Sequence, residues 1–126
     1  MTNDGSAYED LLTRMYVAFN ARDIDTVLSM LAPDVDWPNG MEGGRVSGRD
    51  GVRDYWSRQF AVLDPRVDPE RVVRLDGDRI AVEVKQVVRD LSGKLVVDQM
   101  VRHTYTFRDG FVIRMDIEES QPAERA

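Results

Sequence analysis

Residues 79–107 read "RIAVEVKQVVRDLSGKLVVDQMVRHTYTF", and their spacing decides the fold. Ile80, Val82, Val84, Gln86 and Val88 occupy alternate positions, and so do Leu95, Val97, Gln99, Val101, His103, Tyr105 and Phe107. A period of two marks strands with one buried face. Ser92-Gly93, between the two runs, predicts a two-residue hairpin turn. That turn sets Gln86 opposite Gln99, Val84 opposite Val101 and Val82 opposite His103, so inward residues meet inward residues. A slip of one residue would reverse every face, so this register is strongly specified. The single histidine of the chain is therefore expected on the buried side.

Downstream, "RDG" at 108–110 predicts a three-residue turn, and Phe111, Ile113, Met115 and Ile117 continue the inward face. His103 then lies opposite Met115, and Tyr105 opposite Ile113. Upstream, a strand from about Glu70 carries Val73 and Leu75 into the turn "DGD", after the breaker "DPRVDP" at 64–69.

The N-terminal half changes period. In residues 7–22, Tyr8, Leu12, Met15 and Phe19 recur at helical spacing, widened by Leu11 and Tyr16. "DIDTVLSMLA" opens on a capping aspartate, places Ile24, Val27, Leu28 and Leu31 on one face, and is expected to stop at Pro33. A short strand, "DVDW", leads to the loop "NGMEGGRVSG". A third helix over 49–63 buries Val52, Tyr55, Trp56 and Phe60. The order is α-α-β-α-β-β-β-β. The fold class is α+β, with three N-terminal helices on a curved antiparallel sheet. One domain spans 1–126, with a core at about 7–119 and a frayed tail at 120–126.

Composition narrows the function. There are no cysteines and one histidine, so thiolate chemistry and multi-histidine metal sites are excluded, and no Asp-rich calcium loop is present. No metal or cofactor is expected. Seventeen basic residues against 23 acidic give a net charge of −6, which disfavours nucleic acid as a partner. No apolar run approaches the length of about 20 residues that a membrane span needs. The polar, acidic start "MTNDGSAYED" has no features of a targeting peptide, so a cytoplasmic location is expected.

"FNARDIDTVLSMLAPDVDWPNG" (19–40), "GRDGVRDYW" (48–56) and "HTYTFRDGFVIRMDI" (103–117) resemble the nuclear transport factor 2-like superfamily in its SnoaL-like branch. The resemblance implies a cone-like fold, a sheet wrapped around a helix to enclose an apolar pocket. It also implies ketosteroid isomerases, polyketide cyclases, small hydrolases, dehydratases and binding modules as relatives. Carried over from ketosteroid isomerase, the oxyanion tyrosine falls on Met15, with Tyr16 next to it and rotated by about 100° on a helix. The general-base aspartate falls on Trp37 and the protonated pocket aspartate on His103. All three differ, so the Δ5-3-ketosteroid isomerase mechanism is not expected.

His103 and Tyr105 are the candidate catalytic pair. A neutral imidazole titrating near neutrality can take or give a proton, and Tyr105, Gln99 or Tyr16 can orient a carbonyl oxygen. The plain alternative is a pocket-wall histidine satisfied by Tyr105, Gln99 or water. Candidate ligand-binding residues are Met15, Tyr16, Trp37, Met41, Tyr55, Trp56, Gln86, Gln99 and Met115. Burial of the indole favours an inward Trp37 and an outward Asp36. Met15 and Trp56 also fit ordinary core, and Gln86 and Gln99 can bond each other across the hairpin. On the outer face the same register sets Glu83 opposite Arg102 and Arg102 opposite Asp116, as a solvated ion ladder. Val87, Val96, Met100 and Val112 interrupt that face with apolar patches, and the resemblance implies a homodimer through it. Three readings remain open: a cofactor-free enzyme acting on a small hydrophobic, carbonyl-bearing metabolite, a binding protein for such a molecule, and an interaction module.

Overall fold

The computed structural model describes residues 4–40 and 42–119, and both Met41 and the tail at 120–126 lie outside them. The elements are α1 (Asp4–Asn20), α2 (Ile24–Ser29), β1 (Leu31–Pro38), β2 (Arg45–Ser47), α3 (Gly48–Phe60), β3 (Leu63–Asp76), β4 (Arg79–Asp90), β5 (Leu95–Arg108) and β6 (Phe111–Glu119). Three helices pack on one six-stranded sheet of order β2-β1-β6-β5-β4-β3. The fold is α+β, as the sequence predicts. The sheet is mixed, because β1 runs parallel to β6 while the other pairings are antiparallel. The short β2 is an addition to the expected order.

The central hairpin keeps the expected register: Gln86 faces Gln99, Val84 faces Val101 and Val82 faces His103. Its tip differs. Asp90 accepts hydrogen bonds from the Ser92 and Lys94 amides at 2.9 and 3.0 Å, and Gly93 takes φ 96°. The carboxylate thus draws Leu91, Ser92 and Gly93 into a three-residue loop. A register shift between Val88 and Arg89 then restores the pairing below it.

The second hairpin corrects the expectation more strongly. Asp109 and Gly110 both adopt positive φ, 56° and 87°, so the turn has two residues and Arg108 faces Phe111. A bulge between Thr106 and Phe107 adds a further shift. Tyr105 therefore faces Met115 instead of Ile113, His103 faces Ile117 instead of Met115, and Asp116 faces Thr104 instead of Arg102. The two-residue turn sets Val112 opposite inward Phe107, where it is fully buried, and leaves Phe111 exposed, while the bulge returns Met115 to the inward side.

Two expected breaks become strand. α2 stops at Ser29, and Leu31 enters β1, where it pairs with Val112. Pro33 falls in the stretch of β1 where the pairing with β6 shifts, a place that does not need its missing N–H. "DPRVDP" lies within β3, because β3 is an edge strand and can hold Pro65 and Pro69.

The core fills the space between the sheet and α1 and α3. Leu12, Met15 and Tyr16 from α1 and Val52, Tyr55 and Trp56 from α3 pack with Val82, Val84, Val101, Tyr105 and Phe107. Tyr8 stacks on Phe107 with ring centroids 4.0 Å apart.

Gly110 gives a direct test of the revised turn. A Cβ at Gly110 would meet nothing within 4 Å, so Gly110→Ala pays only for the left-handed backbone. Urea unfolding should show a loss of about 1 kcal/mol with an unchanged m-value. No loss would contradict the left-handed backbone at Gly110.

Candidate functional site

Asn20, at the end of α1, ties the helix to the sheet edge in both directions. Its Nδ2 donates to the Val67 carbonyl at 2.8 Å, and the Val67 amide donates to its Oδ1 at 3.0 Å. Arg22 then takes φ 64° as the helix closes, with its amide bonded to the Phe19 carbonyl and the Asp23 amide to that of Ala18. The Arg22 guanidinium lies 4.4 Å from the Phe60 ring centroid and donates to the Pro65 carbonyl. These contacts fix the end of α1 one turn beyond Tyr16.

Tyr16 enters from α1 and meets two residues of β5. Its hydroxyl lies 2.8 Å from His103 Nδ1 and 2.7 Å from the Tyr105 hydroxyl. Tyr105 Oη also lies 3.4 Å from Nδ1. All three side chains are buried; His103 is 6% exposed and Tyr105 1%. Burial lowers the His103 pKa to about 4 and holds both phenols above their ordinary value, Tyr16 further raised by Tyr105. The ring is therefore neutral at pH 7 and titrates in acid, not near neutrality. Among the described residues, no hydrogen-bond partner meets its Nε2, and the ring lines an open space.

That space is a hollow of about 80 Å³, bounded by all three helices and by five strands of the sheet. β5 supplies His103 and Tyr105, and β6 supplies Met115 and Ile117. α1 supplies Met15, Tyr16 and Phe19, while α3 supplies Tyr55, Trp56 and Gln59. Trp37 of β1 closes one side, in edge-to-face contact with Trp56 at 5.5 Å. Pro65, Val67 and Gln86 line the opposite side. Among the described residues, no carboxylate, lysine or arginine lines the hollow, so His103 is its one group with an ordinary pKa near neutrality.

Most expected site residues converge here: His103, Tyr105, Met15, Tyr16, Trp37, Tyr55, Trp56, Gln86 and Met115. Gln99 does not. It is exposed, because β5 runs beyond the helices there, and its Nε2 donates to Gln86 Oε1 at 2.7 Å. Tyr16, rather than Met15, carries the hydroxyl that meets His103, since both face the wrapping sheet despite their separation around the helix. Gln59 went unrecognised although it lies one helical turn after Tyr55, whose hydroxyl it contacts at 3.3 Å. Pro65 and Val67 were hidden inside the apparent breaker.

Asp36 points away from the hollow and pairs with Arg45 at 2.5 Å and Arg114 at 2.8 Å. Asp116 completes this cluster through Arg45 and Arg114, at 3.2 and 2.9 Å, and does not meet Arg102. Glu83 and Arg102 do pair, at 2.6 Å. Val112 leaves the outer face for the core, whereas Val96 and Met100 remain exposed there. Among the described residues, no three His, Asp or Glu side chains are grouped to hold a metal ion, and no helix is long and apolar enough to cross a membrane.

A family model described as a SnoaL-like domain matches residues 12–115. The chain belongs to the SnoaL-like family. With it comes membership of the nuclear transport factor 2-like superfamily. This SnoaL-like chain is 30% identical to TerC, solved in co-crystals with polyporic acid, at a TM-score of 0.79, covering 90% of this chain and 92% of that one. It is 27% identical to an NTF2-like protein of unknown function from Burkholderia pseudomallei, at a TM-score of 0.79, covering 95% and 92%. A proposed polyketide cyclase from Xanthomonas campestris, 22% identical with a TM-score of 0.82 and coverage of 94% and 93%, shares the fold. No match was found among curated proteins.

The buried ring gives a pH-dependent stability. Because its folded pKa of about 4 lies below the ordinary 6.5, the unfolded chain binds the proton first. The full contribution is present above pH 6.5 and is lost as pH falls from 6.5 to 4. The loss is roughly 3 kcal/mol. Denaturant titrations across that window should show a steeper decline for the wild type than for His103→Leu. Parallel declines would mean that the ring is solvated.

Proposed function

We propose that the hollow binds a small aromatic, carbonyl-bearing molecule and that His103 serves cofactor-free acid/base chemistry on it, of the cyclase, isomerase or dehydratase type. The observation that carries this reading is the neutral, buried imidazole, with Nδ1 bonded and the ring lining an aromatic hollow that contains no other group of similar pKa. A proton between a carbonyl and a second activating group is acidic enough for such a ring to assist its removal. Trp37, Trp56 and Tyr55 offer flat faces, and two or three polar groups among them fix orientation. Gln86 lies at the rim, with its Oε1 already occupied by Gln99, which leaves its amide N–H groups for a ligand. The likeness to TerC supports an aromatic carbonyl ligand, since polyporic acid is one. A cytoplasmic location belongs to the same reading.

Two measurements test it. Quenching of Trp37 and Trp56 fluorescence should report binding of polyporic acid or β-tetralone, and Trp37→Ala should weaken it by about tenfold, the equivalent of about 1.4 kcal/mol of lost ring contact. Exchange of the α-protons of β-tetralone into heavy water should be accelerated by the wild type and fall to the buffer rate in His103→Leu. Binding without accelerated exchange would leave a binding protein; neither binding nor exchange would end the proposal.

The exposed Val96 and Met100 on the outer sheet face support self-association there. Met100→Glu should lower the sedimentation mass toward that of one chain, and an unchanged mass would place the contact elsewhere.

A further inference from the structure

We propose that His103 presents an Nε2–H group to the hollow, as a neutral donor to a ligand oxygen, with its tautomer set by a one-way chain from Tyr105 through Tyr16. This deepens the proposed function and rests on it for the ligand, but the tautomer follows from the three buried side chains alone.

The Tyr16 hydroxyl has one proton and two neighbours, His103 Nδ1 at 2.8 Å and the Tyr105 hydroxyl at 2.7 Å. An imidazole lone pair is a far stronger acceptor than a phenol oxygen, so the Tyr16 proton goes to Nδ1. Tyr105 must then donate to Tyr16, and each bond polarises the next. With Nδ1 occupied as an acceptor, the ring proton of the neutral histidine sits on Nε2.

The reverse chain fails at its far end. If Nδ1–H donated to Tyr16 and Tyr16 donated to Tyr105, the Tyr105 proton would need an acceptor. Among the described residues the Tyr105 hydroxyl meets only Tyr16 and Nδ1, and both would be engaged. A buried O–H would be left unpaired, which folded proteins avoid.

An N–H in a hollow without carboxylates selects for an acceptor. A carbonyl, enolate or phenolate oxygen satisfies it, while a ligand offering only donors at that end leaves Nε2–H unpaired. The bond strengthens as a carbonyl oxygen gains enolate charge, so the histidine assists proton removal in the proposed chemistry through the oxygen of the substrate.

His103 is the only histidine, so nitrogen-15 histidine labelling of the full chain reports a single ring. Long-range proton–nitrogen correlation at neutral pH is expected to show hydrogen on Nε2 and none on Nδ1. Tyr16→Phe removes the donor and is expected to admit the Nδ1–H form. Saturation with β-tetralone is expected to move the Nε2–H proton downfield with the tautomer unchanged. A wild-type ring protonated at Nδ1 overturns the proposal. So does an Nε2–H resonance that stays in place while tryptophan fluorescence shows β-tetralone bound. An Nε2–H ring in a protein that binds no β-tetralone supports the tautomer and counts against the ligand reading alone.

Discussion

The hydrogen bond between the Tyr16 hydroxyl and His103 Nδ1 joins α1 to the middle of the sheet, in a region with little water. An imidazole removed from water without a partner costs about 1–3 kcal/mol. Tyr16 offsets that cost at Nδ1. The same bond binds helix position to strand register, because Tyr16 reaches Nδ1 only if α1 lies at its observed depth. Asn20, clamped to Val67, holds that depth from the far end of the helix. The polar end of the hollow is thus a consequence of how α1 docks.

Around this contact the sheet tolerates irregularity as long as faces are preserved. Both hairpin tips differ from their simplest reading, and each is followed by a register shift that returns inward residues to the inward side. Burial accounts for this, since reversing a strand face would expose side chains such as Tyr105 and Phe107 and bury charges such as Arg102. The two-residue turn of the β5–β6 pair also places Val112 in the core. Charge is managed by separation. Asp36, Arg45, Arg114 and Asp116 form one network on the outer face, while the hollow is lined by aromatic, aliphatic and amide groups.

The proposed recognition of a planar, carbonyl-bearing molecule rests on this arrangement. Family membership does not name a substrate, because related folds host many chemistries and the site decides among them.

Alternation alone located His103, Tyr105, Val82 and Val84 on one face, and helical spacing located Tyr16, Tyr55 and Trp56. These patterns are legible because each reflects a local backbone period and the large free energy of burying apolar surface. What the sequence could not determine depends on contacts between distant segments. Whether Pro33, Pro65 and Pro69 break structure or sit in strands depends on which strand becomes an edge and where pairing lapses. Whether Asp36 or Trp37 meets the hollow depends on Arg45 and Arg114 being available on the other side. The acidic titration of His103 depends on the burial that α1 imposes on it. Local residues set the period and the face; only the docking of helix on sheet, where desolvation and hydrogen bonding are settled together, decided what the face would do.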